Sequence, residues 1–218
     1  MTKTRISAFA RPRRTSALVA TLLLAGIAGF SSSAKAGACL DHIVKAEQDF
    51  NIPRGMLLAV SLVETGGGGE PAAYAVNVRG RATIGKTESD AVRHLRDHKG
   101  KIQDAAYAGC MQLSVEHHKK SFQPVEKIVN PEANVRYAAR YLIQLRNETG
   151  SWAAAVARYN GASSPKVAQA YQCKIQRQLV SLGSDSANLI DARRCPNETP
   201  VVTPRTRRAF EQSQTPVG

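Results

Sequence analysis

The stretch Ser61-Leu62-Val63-Glu64-Thr65-Gly66-Gly67-Gly68-Gly69 closes an apolar run with one acid and four glycines. Met56, Leu57, Leu58, Ala59 and Val60 precede it. Read as a helix, Leu57, Val60 and Glu64 fall at i, i+3 and i+7, the spacing of one buried stripe. Glu64 then lies on the apolar side of the last turn, just before residues that stop a helix. Burial strips water from a carboxylate. The partial negative charge of a helix C-terminus opposes an anion as well. Both effects favour a protonated carboxyl, the state a general acid needs near neutral pH. The same position also reads as a plain helix end, its head group reaching solvent over the glycines.

Other residues offer less. His94 and His98 stand at i, i+4, a spacing that can hold a metal, but no third ligand accompanies them, so they read as a solvated helix face. Glu70, Glu88, Asp90 and Asp104 lie between 70 and 107, outside the strong helical pattern, and none is an obvious second catalytic acid. Cys39, Cys110, Cys173 and Cys195 form an even set without a CxxC pair, which argues against zinc and redox motifs. In an exported chain four cysteines read as two disulfides, and spacing leaves all three pairings open.

The chain of 218 residues is one domain's worth plus extras. Residues 1–36 carry a basic start (Lys3, Arg5, Arg11, Arg13, Arg14), an apolar centre from Ser16 to Phe30, and Ala34-Lys35-Ala36 as a cleavage site. That is the pattern of a secretory signal peptide, and the apolar run is short for a membrane span. Periplasmic or secreted localisation follows as an expectation. A short membrane anchor, a twin-arginine signal at Arg13-Arg14 and lipidation at Cys39 are the competing readings. The formal charge is +13, and removing 1–36, with six Lys/Arg and no acids, leaves +7. Such mild basicity suits an anionic wall polymer better than nucleic acid. No later segment is apolar enough to cross a membrane, so no integral span is expected in the mature chain.

The elements that must position Glu64 are mostly helical. A short helix is expected over 39–50, broken by Asn51-Ile52-Pro53, and a second one to about Glu64. Residues 74–85 read as a small hairpin around Arg79-Gly80. Thr87 caps a helix expected over 88–98. Asn130 caps a long helix that starts at Pro131 and stops at Gly150. Ser151 caps another through Tyr159, and a last one runs from about Ser164 to Ser181. Beyond Leu182 the chain is rich in Ser, Pro, Thr and Arg, and a mostly disordered tail over 182–218, tied at Cys195, is expected.

Three motifs occur in order: Val60-Ser61-Leu62-Val63-Glu64-Thr65-Gly66, Ala108-Gly109-Cys110-Met111-Gln112-Leu113 and Ala157-Arg158-Tyr159-Asn160-Gly161. Asn130-Pro131 and Asn134-Val135-Arg136-Tyr137-Ala138-Ala139-Arg140-Tyr141-Leu142 stand between the last two. Over about 40–181 the chain resembles the soluble lytic transglycosylase family of lysozyme-like bacterial cell-wall enzymes. The hairpin insertion, about 70–107, resembles the branch that serves secretion systems and other envelope-spanning machines. The resemblance implies a mainly α, lysozyme-like helical domain over 37–181 and peptidoglycan glycan strands as substrate. Glu64 would be the catalytic acid and base. Thr65 would orient the acid or the sugar. Met111 and Gln112 would line the cleft and contact glycan. Tyr159 would hold Glu64 by hydrogen bond, and Asn160 would meet an acetamido or hydroxyl group. Several relatives have a cysteine in the second motif together with one before the first helix, so the resemblance implies Cys39–Cys110 and leaves Cys173–Cys195. The Trp that such relatives often carry near Pro71–Tyr74 and the aromatic near Ile84 are mostly missing, which weakens sugar stacking at that lip.

A glycosidase ordinarily needs two carboxyl groups. A lytic transglycosylase avoids the second, because the C6 hydroxyl of the N-acetylmuramoyl sugar attacks its own anomeric carbon and leaves a 1,6-anhydro end. No metal or cofactor is implied. A hydrolytic lysozyme and a non-catalytic peptidoglycan-binding scaffold are the rival functions, and the retained Glu64 favours an enzyme.

Overall fold

The computed structural model describes residues 37–191, 193 and 195–213. The leader expected over 1–36 lies outside the described residues. Among those described, the helices are α1 (Gly37–Asp49), α2 (Met56–Thr65), α3 (Glu88–Leu95), α4 (Val115–His118), α5 (Pro131–Thr149), α6 (Trp152–Tyr159), α7 (Pro165–Leu182) and α8 (Pro204–Gln212). The strands are β1 (Ala75–Val78), β2 (Arg81–Ile84), β3 (Ala106–Ala108) and β4 (Leu113–Ser114). The fold is mainly helical with one small antiparallel sheet, as expected.

Every residue of α2 from Met56 to Leu62 is buried. A helix apolar all round belongs at the centre of a bundle, so a single stripe through Leu57, Val60 and Glu64 understates its burial. At roughly 1.5–3 kcal/mol per fully buried aliphatic side chain, Leu57, Leu58 and Leu62 draw α2 inside. α1 and α7 pack against it, and α5 packs against α1 and α6. The caps follow the sequence: Asn130 Oδ1 accepts from Ala133 N, Ser151 Oγ from Ala154 N and Ser164 Oγ from Val167 N.

The α2 N-terminus has a different solution. Its N-cap residue is Gly55, which has no side chain to accept a bond. Glu47 of α1, 4% exposed, takes the place of a cap. Its Oε2 accepts from Gly55 N at 2.7 Å and its Oε1 from Leu58 N at 2.9 Å.

The hairpin forms where expected, and Arg79 and Gly80 both take positive φ, 52° and 82°. Two such residues make the tight turn whose twist matches paired strands. The sheet order is β2-β1-β3-β4, all antiparallel. α3 is shorter than expected. Asp97 Oδ1 accepts from Lys99 N and Lys101 N, which closes a turn, and Arg96 pairs with Ile102. His98 therefore lies beyond the helix, and its pairing with His94 on one helix face does not occur.

The tail departs most from expectation. Among its described residues a 3-10 turn spans Asp185–Leu189 and α8 lies beyond it. Ile190 and Phe210 are 3% and 2% exposed. Its polar residues bond to backbone: Thr206 Oγ1 donates to Gly69 O at 2.8 Å and Thr203 N to the same oxygen at 3.1 Å. A Cβ on Gly69 would come within 2.7 Å of Val201 O, so the last residue of the glycine run lets the tail approach. Cys39 is bonded to Cys110 and Cys173 to Cys195, the pairing that the resemblance implies.

Candidate active site

Glu64 stands where the buried helix α2 surfaces, and it is itself half-buried. Its Oε1 accepts a 2.6 Å hydrogen bond from the Tyr171 hydroxyl on α7. Its Oε2 has no protein hydrogen-bond partner among the described residues. Burial pushes the Glu64 carboxyl above its ordinary range, and the Tyr171 bond and the Lys174 charge draw it partly back. Burial, with the Glu64 charge behind it, keeps the Tyr171 and Tyr159 hydroxyls well above the usual tyrosine range. Tyr171 is therefore a fixed donor. The group can carry a proton on Oε2 while Oε1 is clamped.

Tyr159 is placed differently from the expectation. Its hydroxyl donates to Met111 O at 2.8 Å, and Tyr171 holds the acid instead. The reason is geometric. Tyr159 ends α6, beside the 109–112 loop, whereas α7 packs along α2 and brings Tyr171 to its last turn. Tyr171 reads in the sequence as one more apolar position of α7, and only the α2–α7 packing shows that its hydroxyl meets Glu64.

The loop at 109–112 is pinned from several sides. Asn134, fully buried in α5, accepts from Met111 N at 2.9 Å and donates to Ala108 O and Ile128 O. A Cβ on Gly109, where φ is 77°, would stand inside the Asn134 amide, so only glycine fits. The Ser61 and Thr65 hydroxyls both reach Cys110 O, at 2.8 and 3.2 Å. The Cys39–Cys110 disulfide ties the same residue to α1.

Two expected glycan contacts change character as a result. Met111 is fully buried, so its side chain packs the loop and cannot line an open cleft. Thr65 Oγ1 is engaged with Ser61 O and Cys110 O and accepts from Ala72 N at 3.1 Å, so it anchors the insertion rather than the acid or a sugar. Gln112 is only partly buried and is held at φ 45°, a strained value for this residue type. Its Nε2 donates to Ala75 O and Gly109 O, which leaves the amide oxygen to accept from a ligand. Asn160 is exposed at the end of α6 and stays available. The open sheet face carries Ile84, 65% exposed, and Tyr107, 49% exposed, so one aromatic stands there after all.

The other acids of the insertion are engaged. Glu70 meets Thr203 and Arg205 of the tail, Glu88 accepts from Asn130, Asp90 caps α3, and Asp104 pairs with Lys119. Among the described residues no group of three or more His, Cys, Asp or Glu could hold a metal.

A family model described as the transglycosylase SLT domain matches residues 41–177. No curated protein and no solved structure matches the chain. The matched span is more than half of the sequence and contains Glu64, the 109–112 loop, Tyr159 and Tyr171. The members of that family act on peptidoglycan as lytic transglycosylases. With a clamped acid at the end of a central helix and a pinned Gly-Cys-Met-Gln loop beside it, the chain belongs to the transglycosylase SLT domain family.

Proposed function

We propose that the protein is a peptidoglycan lytic transglycosylase that cleaves the β-1,4 bond between N-acetylmuramic acid and N-acetylglucosamine without water. The observation that carries this reading is the state of Glu64: Oε1 is clamped by Tyr171, Oε2 has no protein partner among the described residues, and the insertion acids Glu70, Glu88, Asp90 and Asp104 are engaged elsewhere. Glu64 Oε2 gives its proton to the glycosidic oxygen, and the bond from that oxygen to the muramoyl C1 breaks. Positive charge develops at C1 and the ring oxygen. The C6 hydroxyl oxygen of the same sugar bonds to C1, and the Glu64 carboxylate takes the hydroxyl proton. A 1,6-anhydro end results, and the acid is regenerated. Because the nucleophile is part of the substrate, proximity supplies much of the rate. Gln112 and Asn160 are the side chains assigned to the sugar.

The export-type leader and the hairpin insertion support a place outside the cytoplasm, opening the wall locally for an envelope-spanning secretion or assembly complex. Among the described residues no helix is long and apolar enough to cross a membrane.

Mass analysis of fragments released from sacculi tests the reaction. Anhydro-ended muropeptides that vanish with Glu64→Gln are the expected result. Reducing ends would make the enzyme a hydrolase. Sacculus binding without release, unchanged in Glu64→Gln, would make it a scaffold.

A further inference from the structure

Beyond Glu64, α7 continues along a groove of about 380 Å3, between the glycine run and the tail. Gly66, Gly67, Lys174, Arg177, Gln178 and Glu198 line it. Tyr171, Lys174 and Gln178 share one stripe of α7 at i, i+3 and i+7, so the groove begins about one turn past the Tyr171–Glu64 contact. Gln178 and Glu198 lie outside the span that the family model matches.

The groove holds two buried polar atoms that make no hydrogen bond, Gln178 Oε1 and Arg177 Nη1. Gln178 is 8% exposed, and its Oε1 is buried with no hydrogen bond. A buried acceptor left unpaired costs on the order of 1–3 kcal/mol, which a ligand N–H or O–H would relieve. Arg177, its side chain 15% exposed, has its Nη1 2.9 Å from Glu198 Oε2, yet that nitrogen makes no aligned hydrogen bond. Glu198 is 70% exposed, so this ion pair is weak and open to exchange. Lys174 adds a second, exposed cation.

We propose that this groove receives the peptide stem of the muramoyl residue whose bond Glu64 breaks. The inference rests on the transglycosylase reading of Glu64. The ligand must carry an amide donor for Gln178 and an anion for Arg177 and Lys174. Glycan hydroxyls supply donors but no anion. The stem peptide supplies both, as backbone N–H groups and free carboxylates. A phosphate is disfavoured, because it offers no donor to Gln178 and meets the Glu198 carboxylate. The length fits as well. From Tyr171 to Gln178 is about 10 Å along the helix, and three extended residues span about the same. A stem leaving the sugar at Glu64 reaches Arg177 with its second or third residue. There its carboxylate replaces Glu198 on the guanidinium.

Binding of a synthetic acidic tripeptide to the purified chain, followed by NMR titration, tests this without bond cleavage. The acidic peptide should bind at least about tenfold more tightly than its side-chain amide analogue. Arg177→Gln should lose about tenfold for the acid, whereas Glu198→Gln should gain affinity because a competing carboxylate is gone. If Arg177→Gln fails to fold, the exposed Lys174→Gln takes its place in the test. On wall glycan, the ratio of rates with and without stems should fall towards one in Arg177→Gln. Equal affinity for acid and amide peptides, or no loss in the Arg177 and Lys174 variants, overturns the assignment. Absent anhydro products with peptide binding intact would instead overturn the role of Glu64.

Discussion

A tyrosine hydroxyl 2.6 Å from a carboxylate oxygen stabilises the anion more than the acid. At Glu64 that effect opposes burial, which is the larger, so the carboxyl stays above its ordinary range. Tyr171→Phe removes the opposing effect, and the carboxyl rises further. The limb of the kcat profile that falls as Glu64 loses its proton should then move to higher pH. At the optimum kcat should fall between about tenfold and a hundredfold, because the acid is no longer held in place. A pH–rate series on both proteins checks this. A lower kcat with an unmoved limb would leave Tyr171 a packing role only. At this scale the sequence exposes Glu64 well, since an acid closing an apolar run is anomalous on its face. Tyr171 is hidden, because a tyrosine on a buried stripe looks like core until its neighbour is known. Met111 and Thr65 mislead in the other direction. Their motif positions suggest contact with sugar, while their side chains are spent on the loop and the insertion.

Positioning Glu64 is the task of α2, and α2 begins at a carboxyl borrowed from α1. Glu47 is pushed up to about 7 because burial outweighs the backbone N–H groups it accepts from. Its folded value thus exceeds the ordinary 4.5. The contribution of such a group is complete below pH 4.5 and is lost as pH rises through about 7. The shift corresponds to roughly 3 kcal/mol. Glu47→Gln removes the titration, so the stability advantage of the wild type over this variant should shrink by about that amount between pH 4.5 and 8. Urea unfolding of both proteins at the two pH values measures it, and a constant gap would mean that Glu47 does not titrate in that window. The elements themselves were largely readable. Asn130-Pro131 and Arg79-Gly80 mark a helix start and a hairpin turn through backbone chemistry that is local. β3 and β4 have three and two residues, too short for any periodicity to register. Glu47 as a cap is unreadable for another reason: it depends on how two helices pack.

Across the whole molecule the tail is the part that composition misjudges. Few large apolar residues follow Leu182, but Ile190 and Phe210 are both buried, and Thr203 and Thr206 bond the Gly69 carbonyl. The Cys173–Cys195 bond closes a loop with a sequence separation of 22, worth roughly 3 kcal/mol by chain entropy. It returns the chain to α7 before α8 crosses to α1. Phe210 then seats under the Arg54 guanidinium, 3.5 Å from the ring centre. It lies so close to Gly55 that a Cβ there would come within 2.9 Å of the ring. Gly55 is the N-cap from which α2 starts, so the tail and the helix that carries Glu64 share one contact. Phe210→Ala should therefore cost about 3–5 kcal/mol in urea unfolding. It should also lower hydrogen-exchange protection at the first turn of α2 more than at α5. A tail that merely decorates the surface would give neither effect. Loss of stability with exchange at α2 unchanged would confine the tail to a stabilising role remote from Glu64.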